Sequence, residues 1–146
     1  MALIEEHKAI VRRLAEEVIQ GGNLGLIPEL FAPDYTPHDP SNPTRRGGIA
    51  GARDFIAQLQ EGVTDVRYTI EDLIAEGDKV MYRWTLTFRH TGPMMGILPT
   101  GNSVSFGGVD IFRLAGGKIA ESWVYADALG MLRQFGVLPP PGPPPS

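Results

Sequence analysis

A chain of 146 residues, 42% hydrophobic and 21% charged, has the make-up of one globular domain around a single core. Its net charge of -4 carries no basic block, which argues against nucleic acid as a partner, and the pairs Arg12-Arg13 and Arg45-Arg46 read as solvated faces. Without cysteine there are no disulfides, thiolate catalysis or zinc–thiolate sites. No apolar run reaches the roughly 18 residues of a membrane span, and Glu5 and Glu6 stand where a signal peptide needs positive charge, so a cytoplasmic protein is expected.

Residues 4 to 20 read as an amphipathic helix, with Ile10, Val11, Leu14, Val18 and Ile19 on one side, ended by Gly21-Gly22. Asn23 is placed to cap a second short helix running to about Phe31, which Pro28 should bend or shorten. The stretch 33–48, punctuated by proline and glycine, is expected as a loop, and a third helix should run from Ile49 to Gln60. Two strands follow, Val66 to Ala75 and Lys79 to His90, joined by a hairpin turn at Glu76-Gly77-Asp78. In the second of them Val80, Tyr82, Trp84, Leu86, Phe88 and His90 share a face, opposite Arg83, Thr85, Thr87 and Arg89.

A loop, Thr91 to Asn102, leads to a strand around Val104–Phe112, in which Gly107-Gly108 are expected to supply a bend or bulge. Gly116-Gly117 turns the chain into a last strand from Lys118 to about Tyr125, and Asp127 opens a final helix that Gly136 ends. The domain is therefore expected to span 1–137, with 138–146 a disordered or polyproline-like tail. The layout is α+β, a mostly antiparallel sheet with helices against its concave face and a pocket between them.

The most informative position is Asp110. With period two it shares a face with Val104, Phe106, Gly108 and Phe112, so a carboxylate points inward among apolar neighbours. Such a group is either satisfied by an arginine or a backbone N–H, or carries a raised pKa that suits proton transfer near neutrality. We read it as the candidate acid/base.

The runs GVDIFRLAGGKIAESW (108–123), HTGPMMGILPTG (90–101), IVRRLAEEVIQGGNL (10–24) and LFAPDYTPHDP (30–40) together resemble the SnoaL-like polyketide cyclases, also called ester cyclases, of the nuclear transport factor 2-like superfamily. The resemblance extends nearly to Gly136. It implies a cone-shaped α+β barrel with an enclosed apolar pocket, usually dimeric or tetrameric through the sheet, and cofactor-free aldol-type cyclisation by a pocket acid/base. Asp110 matches a place where the family carries an inward polar residue, His90 matches the histidine of the loop motif, and His38 falls in the segment covering the pocket mouth. The family's principal acid/base aspartate follows the position matched by Trp123, where this chain has Val124.

The expected catalytic pair is therefore Asp110 with His90 as its partner. The expected substrate contacts are His38, Tyr82, Trp84, Phe88, Met95, Phe106 and Trp123, with Met94, Met95 and Ile97 as a flexible apolar lip. Against these stand plainer readings: a cap for Asp127, loop capping for His38-Asp39, ordinary surface for His7, and core packing for Tyr82 and Trp84. No recognised metal-ligand spacing joins His38, Asp39 and His90, so neither metal nor cofactor is expected. The expected substrate is a hydrophobic, carbonyl-bearing small molecule turned over by cyclase or isomerase chemistry. The alternatives are epoxide hydrolysis through an Asp-Arg-Asp relay and a non-catalytic binding protein.

Overall fold

The computed structural model describes residues 2–139 and 142; the rest of the expected 138–146 tail lies outside the described residues. The first helix forms over Ala2–Arg13 (α1) and continues as a π-helical segment, Leu14–Gln20. Asn23 caps the next turn, its side chain accepting from the Gly25 N–H, and Leu24–Leu26 leads into a short helix, Ile27–Leu30 (α2). Pro28 stands in the first turn of α2, where its missing N–H costs nothing, so it starts this helix rather than bending one.

The stretch expected as a loop opens with a strand, Phe31–His38 (β1), which pairs in parallel with the last strand. Pro33 and Pro37 are tolerated because β1 is an edge strand and one of its sides needs no ladder donors. A longer helix than expected, Gly48–Gly62 (α3), precedes Val63–Glu76 (β2), Lys79–His90 (β3), Ser103–Ala115 (β4) and Lys118–Ala126 (β5). Asp127 caps the closing helix Ala128–Phe135 (α4), and Gly136 ends it in the left-handed conformation at φ 83°.

The strand order is β1-β5-β4-β3-β2, antiparallel except for β1 with β5, so the curved sheet does not close on itself. β3 and β4 pair without a break from Lys79↔Arg113 to Arg89↔Ser103, and no bulge occurs at Gly107-Gly108. The alternation in β3 holds: Val80, Tyr82, Trp84, Leu86, Phe88 and His90 are all buried. Val11, Leu14, Ala15 and Val18 of the first helix join them in the core, with Phe112 and Leu114 of β4 and Met131 and Phe135 of α4. His7 is buried in α1 as well, contrary to its reading as surface.

Candidate functional site

The register of the central strands sets the site. Tyr82 on β3, Asp110 on β4 and Val124 on β5 lie side by side in one row across the inner face. The next row holds Val80, Phe112 and Ser122, and the row on the other side holds Trp84, Gly108 and Ala126. Asp110 therefore faces Tyr82 on one neighbour and Val124 on the other, with Cβ separations of roughly 5 Å.

Trp84 donates its indole N–H to Asp110 Oδ1 at 2.8 Å. Gly108 makes this contact possible. A Cβ there would lie 2.5 Å from Trp84 Cζ2, so only glycine lets the indole lie across β4 with its N–H reaching Asp110. Close approach of an aromatic ring, not a bend, is the function of this glycine.

Asp110 lies deep in the molecule with protein packed around it, yet it keeps part of its surface accessible. Burial pushes its carboxyl up from 3.8 to about 7, while the Trp84 N–H and the charge of Arg45 act to hold it lower. The hydroxyls of Tyr82 and Tyr68 meet at 2.8 Å, and burial raises the pKa of both well above the ordinary phenol range.

A second polar group approaches from β1 and the loop beyond it. Tyr35 Oη and Ser122 Oγ are 2.6 Å apart, and Arg45 donates to the same Tyr35 oxygen at 3.1 Å and to Asp39 Oδ2 at 3.4 Å. Asp39 Oδ1 accepts from both the N–H and the hydroxyl of Ser41, so its expected loop-capping part is present together with an ion pair. The side chains of Arg45 and Asp39 are only 9% and 5% exposed. Arg45 is thus not the solvated residue its sequence context suggests. Its neighbour Arg46 is exposed and pairs with Asp54.

The structure does not bring His90 to Asp110. The two lie eight residues apart in register, about 26 Å along the sheet at roughly 3.3 Å per residue. His90 stacks on Phe135 at 4.3 Å, and its Nδ1 accepts the Thr100 backbone N–H at 3.2 Å, tying down the base of the 91–102 loop. The aromatic residues Trp84, Phe106, Phe88 and Phe135 fill the interval between Asp110 and His90. Phe106 touches Trp84 and so stays near the site, whereas Phe88 belongs to the core beyond it.

His38 and Trp123 stack on each other at 5.3 Å, but the odd-numbered positions of β5 face away from Val124 and Ser122, so both are on the outer side of the sheet. His38 there bonds Glu121, which also binds Arg113. Met95 is 56% exposed on the loop, far from Asp110 in sequence register. Two clefts flank the Asp110 group without being lined by it. One of about 70 Å³ includes Arg45, Phe55 and Gln58; a wider groove of about 490 Å³ runs between Arg12 and Glu16 on one side and Tyr68 to Leu73 on the other. The expected enclosed apolar pocket is neither of these.

Sequence reading missed Tyr35, Arg45, Tyr68 and Ser122, and gave Asp39 a loop-capping part without its arginine partner. Tyr68 was legible, because Val66, Tyr68 and Ile70 alternate with Arg67, Thr69 and Glu71. Nothing in SNPTRRGG distinguishes the buried arginine from the exposed one.

The model of the SnoaL-like polyketide cyclase family matches residues 9–135, and the chain belongs to that family. Among solved structures it is similar to TsrD from Streptomyces laurentii, at 35% identity and TM-score 0.79 over 89% of this chain and 97% of that one. A candidate SnoaL-like polyketide cyclase from Jannaschia sp. CCS1 matches at 29% identity and TM-score 0.83, over 92% and 94% of the two chains. A protein with a ketosteroid isomerase-like fold from Catenulispora acidiphila, 21% identical with TM-score 0.74 over 87% and 92%, shares the fold. No curated protein matches. Among the described residues, no helix is long and apolar enough to cross a membrane.

Proposed function

We propose that this protein is a cofactor-independent enzyme that removes a proton beside the carbonyl of a hydrophobic small molecule, in a cyclisation or isomerisation, with Asp110 as the base. The observation that carries the reading is the pairing of Asp110 with Val124. The family's acid/base residue is missing from β5, and a carboxylate stands directly across from that position on β4, within reach of the same space. The carboxylate takes the proton, the C–H electron pair becomes the new C=C bond as the carbonyl π pair moves to oxygen, and the resulting enolate meets the paired hydroxyls of Tyr68 and Tyr82. A carboxyl at about 7 is matched to proton transfer at neutral pH. Trp84 and Phe106 would form the apolar wall of the substrate pocket.

The test is exchange of the α-hydrogens of β-tetralone into deuterated water, followed by NMR. Asp110→Asn should lower the exchange rate by about a hundredfold or more, the usual worth of a positioned base. Adding Val124→Asp to that variant should return part of the loss by placing a carboxylate one strand away. An Asp110→Asn rate within about threefold of the parent would sink the assignment, because so small a change is far below that worth.

A second reading, epoxide hydrolysis, gains one observation: Asp39 and Arg45 are buried as a pair in the neighbourhood of Asp110, the residue types that a water-activating relay needs. Release of a diol from styrene oxide that is lost in Asp110→Asn, without any tetralone exchange, would favour it. We further propose a homodimer or homotetramer through the outer sheet face, where Tyr125 is 59% exposed beside the His38–Trp123 stack.

A further inference from the structure

We propose that Arg45 is a second functional residue of this site, the fixed positive charge that receives the negative charge leaving Asp110 when the substrate's carbonyl becomes an enolate. The proposal rests on the enolate reading above and adds to it the group that stabilises the anion.

The geometry is specific. Arg45 enters from the loop after β1, its guanidinium 3.7 Å from the ring centroid of Phe55, which fixes the plane of the fork and shields one face from water. Tyr35 and Asp39 each accept one of its N–H groups, while its Nε is buried with no hydrogen-bond partner. A buried charged donor left unpaired is costly, and a ligand oxygen is what would satisfy it. The contact to Tyr35 locates the guanidinium relative to Asp110. Tyr35 is bound to Ser122, and Ser122 lies two residues from Val124, on the diagonal from Asp110 at roughly 7–8 Å. Among the described residues Arg45 is ion-paired with Asp39 and not with Asp110.

Charge accounting points the same way. The interior groups near Asp110 are Arg45, Asp39, Tyr35, Tyr68 and Tyr82, and Asp39 balances Arg45. Ionised Asp110 is then one negative charge too many. When it takes the proton, one negative charge moves to the enolate oxygen and the total is unchanged. The charge simply ends up on an atom that can bond the free edge of the guanidinium, which is cheaper than separating charge in a dry site.

The experiment uses β-naphthol as an enolate mimic, with naphthalene as the uncharged control, in fluorescence titrations of the parent, Arg45→Met and Arg45→Lys proteins, each checked for native circular dichroism. The parent should bind the naphtholate form. Arg45→Met should weaken naphtholate binding at least about tenfold while leaving naphthalene within about twofold, as loss of a charge-assisted donor requires. Arg45→Lys, which keeps the charge without the fork, should fall between, and serves alone should the methionine variant not fold. Carbon NMR of the labelled Asp110 carboxyl should show its titration moving up in Arg45→Met, which checks that the guanidinium charge acts on that carboxyl. Naphtholate affinities agreeing within about twofold between parent and Arg45→Met overturn the assignment, whatever Asp110 does in tetralone exchange, since the lost donor would then carry no anion. If the parent binds neither probe, the enolate reading of the site fails and Arg45's part in it fails too.

Discussion

Replacing Asp110 by Asn should make the protein more stable in alkaline solution and leave it nearly unchanged in acid. In the folded chain the carboxyl titrates at about 7 because burial penalises its charge, against 3.8 for the ordinary group. Between those values the folded protein holds a proton that the unfolded chain has released, so wild-type stability falls as pH rises, by about 1.4 kcal/mol per pH unit. The raised pKa thus favours the folded state below the ordinary value, and that advantage is gone once the pH passes the folded value. Across the whole interval between the two values the loss is on the order of 4 kcal/mol. Asparagine carries no charge to desolvate and still offers Trp84 a carbonyl oxygen, so the variant escapes this slope. Urea denaturation of both proteins at steps from about pH 4 to pH 8 measures it, the gap opening with pH and levelling off above about 7. A difference that stays constant within about 0.5 kcal/mol across the range would refute the burial argument, since no differential protonation would then exist.

Two further substitutions test how the carboxyl is held. Trp84→Phe keeps an aromatic ring but removes the donor to Oδ1, and a hydrogen bond to a charged group worth about 1.5–3 kcal/mol predicts that Asp110 titrates about one to two pH units higher, read by NMR of the labelled carboxyl. No movement of that titration would show the indole N–H to be incidental. Gly108→Ala forces a Cβ to within 2.5 Å of the indole and should cost about 1–3 kcal/mol in denaturant melts, with a changed near-ultraviolet signal as Trp84 is displaced. A variant as stable as its parent, with the same spectrum, would mean the ring moves aside freely.

The elements with strong periodicity were legible from residues alone. β3 alternates over its whole length, and its six inward residues are the ones found buried. Asp127 and Gly136 mark α4 by capping chemistry that acts within a few residues. Asp110 was identifiable because period two makes one charged residue share a face with apolar neighbours. The same rule, applied to β5, places Trp123 outside and Val124 inside, so its failure as a pocket residue was already contained in the alternation.

β1 was lost because its prolines argue against a strand, and only its position at the sheet edge makes them harmless.

What the chain by itself determined is local: which residues lie on one side of a strand, where helices start and stop, and that one carboxyl must turn inward. Family membership and α+β architecture are set at that level too, since they follow from patterns that run along the chain. Partnership was decided only by the tertiary structure. It separated His90 from Asp110 by eight register steps, joined Trp84 to Asp110 across a glycine, and buried Arg45 against Phe55 while Arg46 stayed in solvent. The physical reason is that a side chain's environment depends on strand order and register, and these are fixed by contacts between residues far apart in sequence.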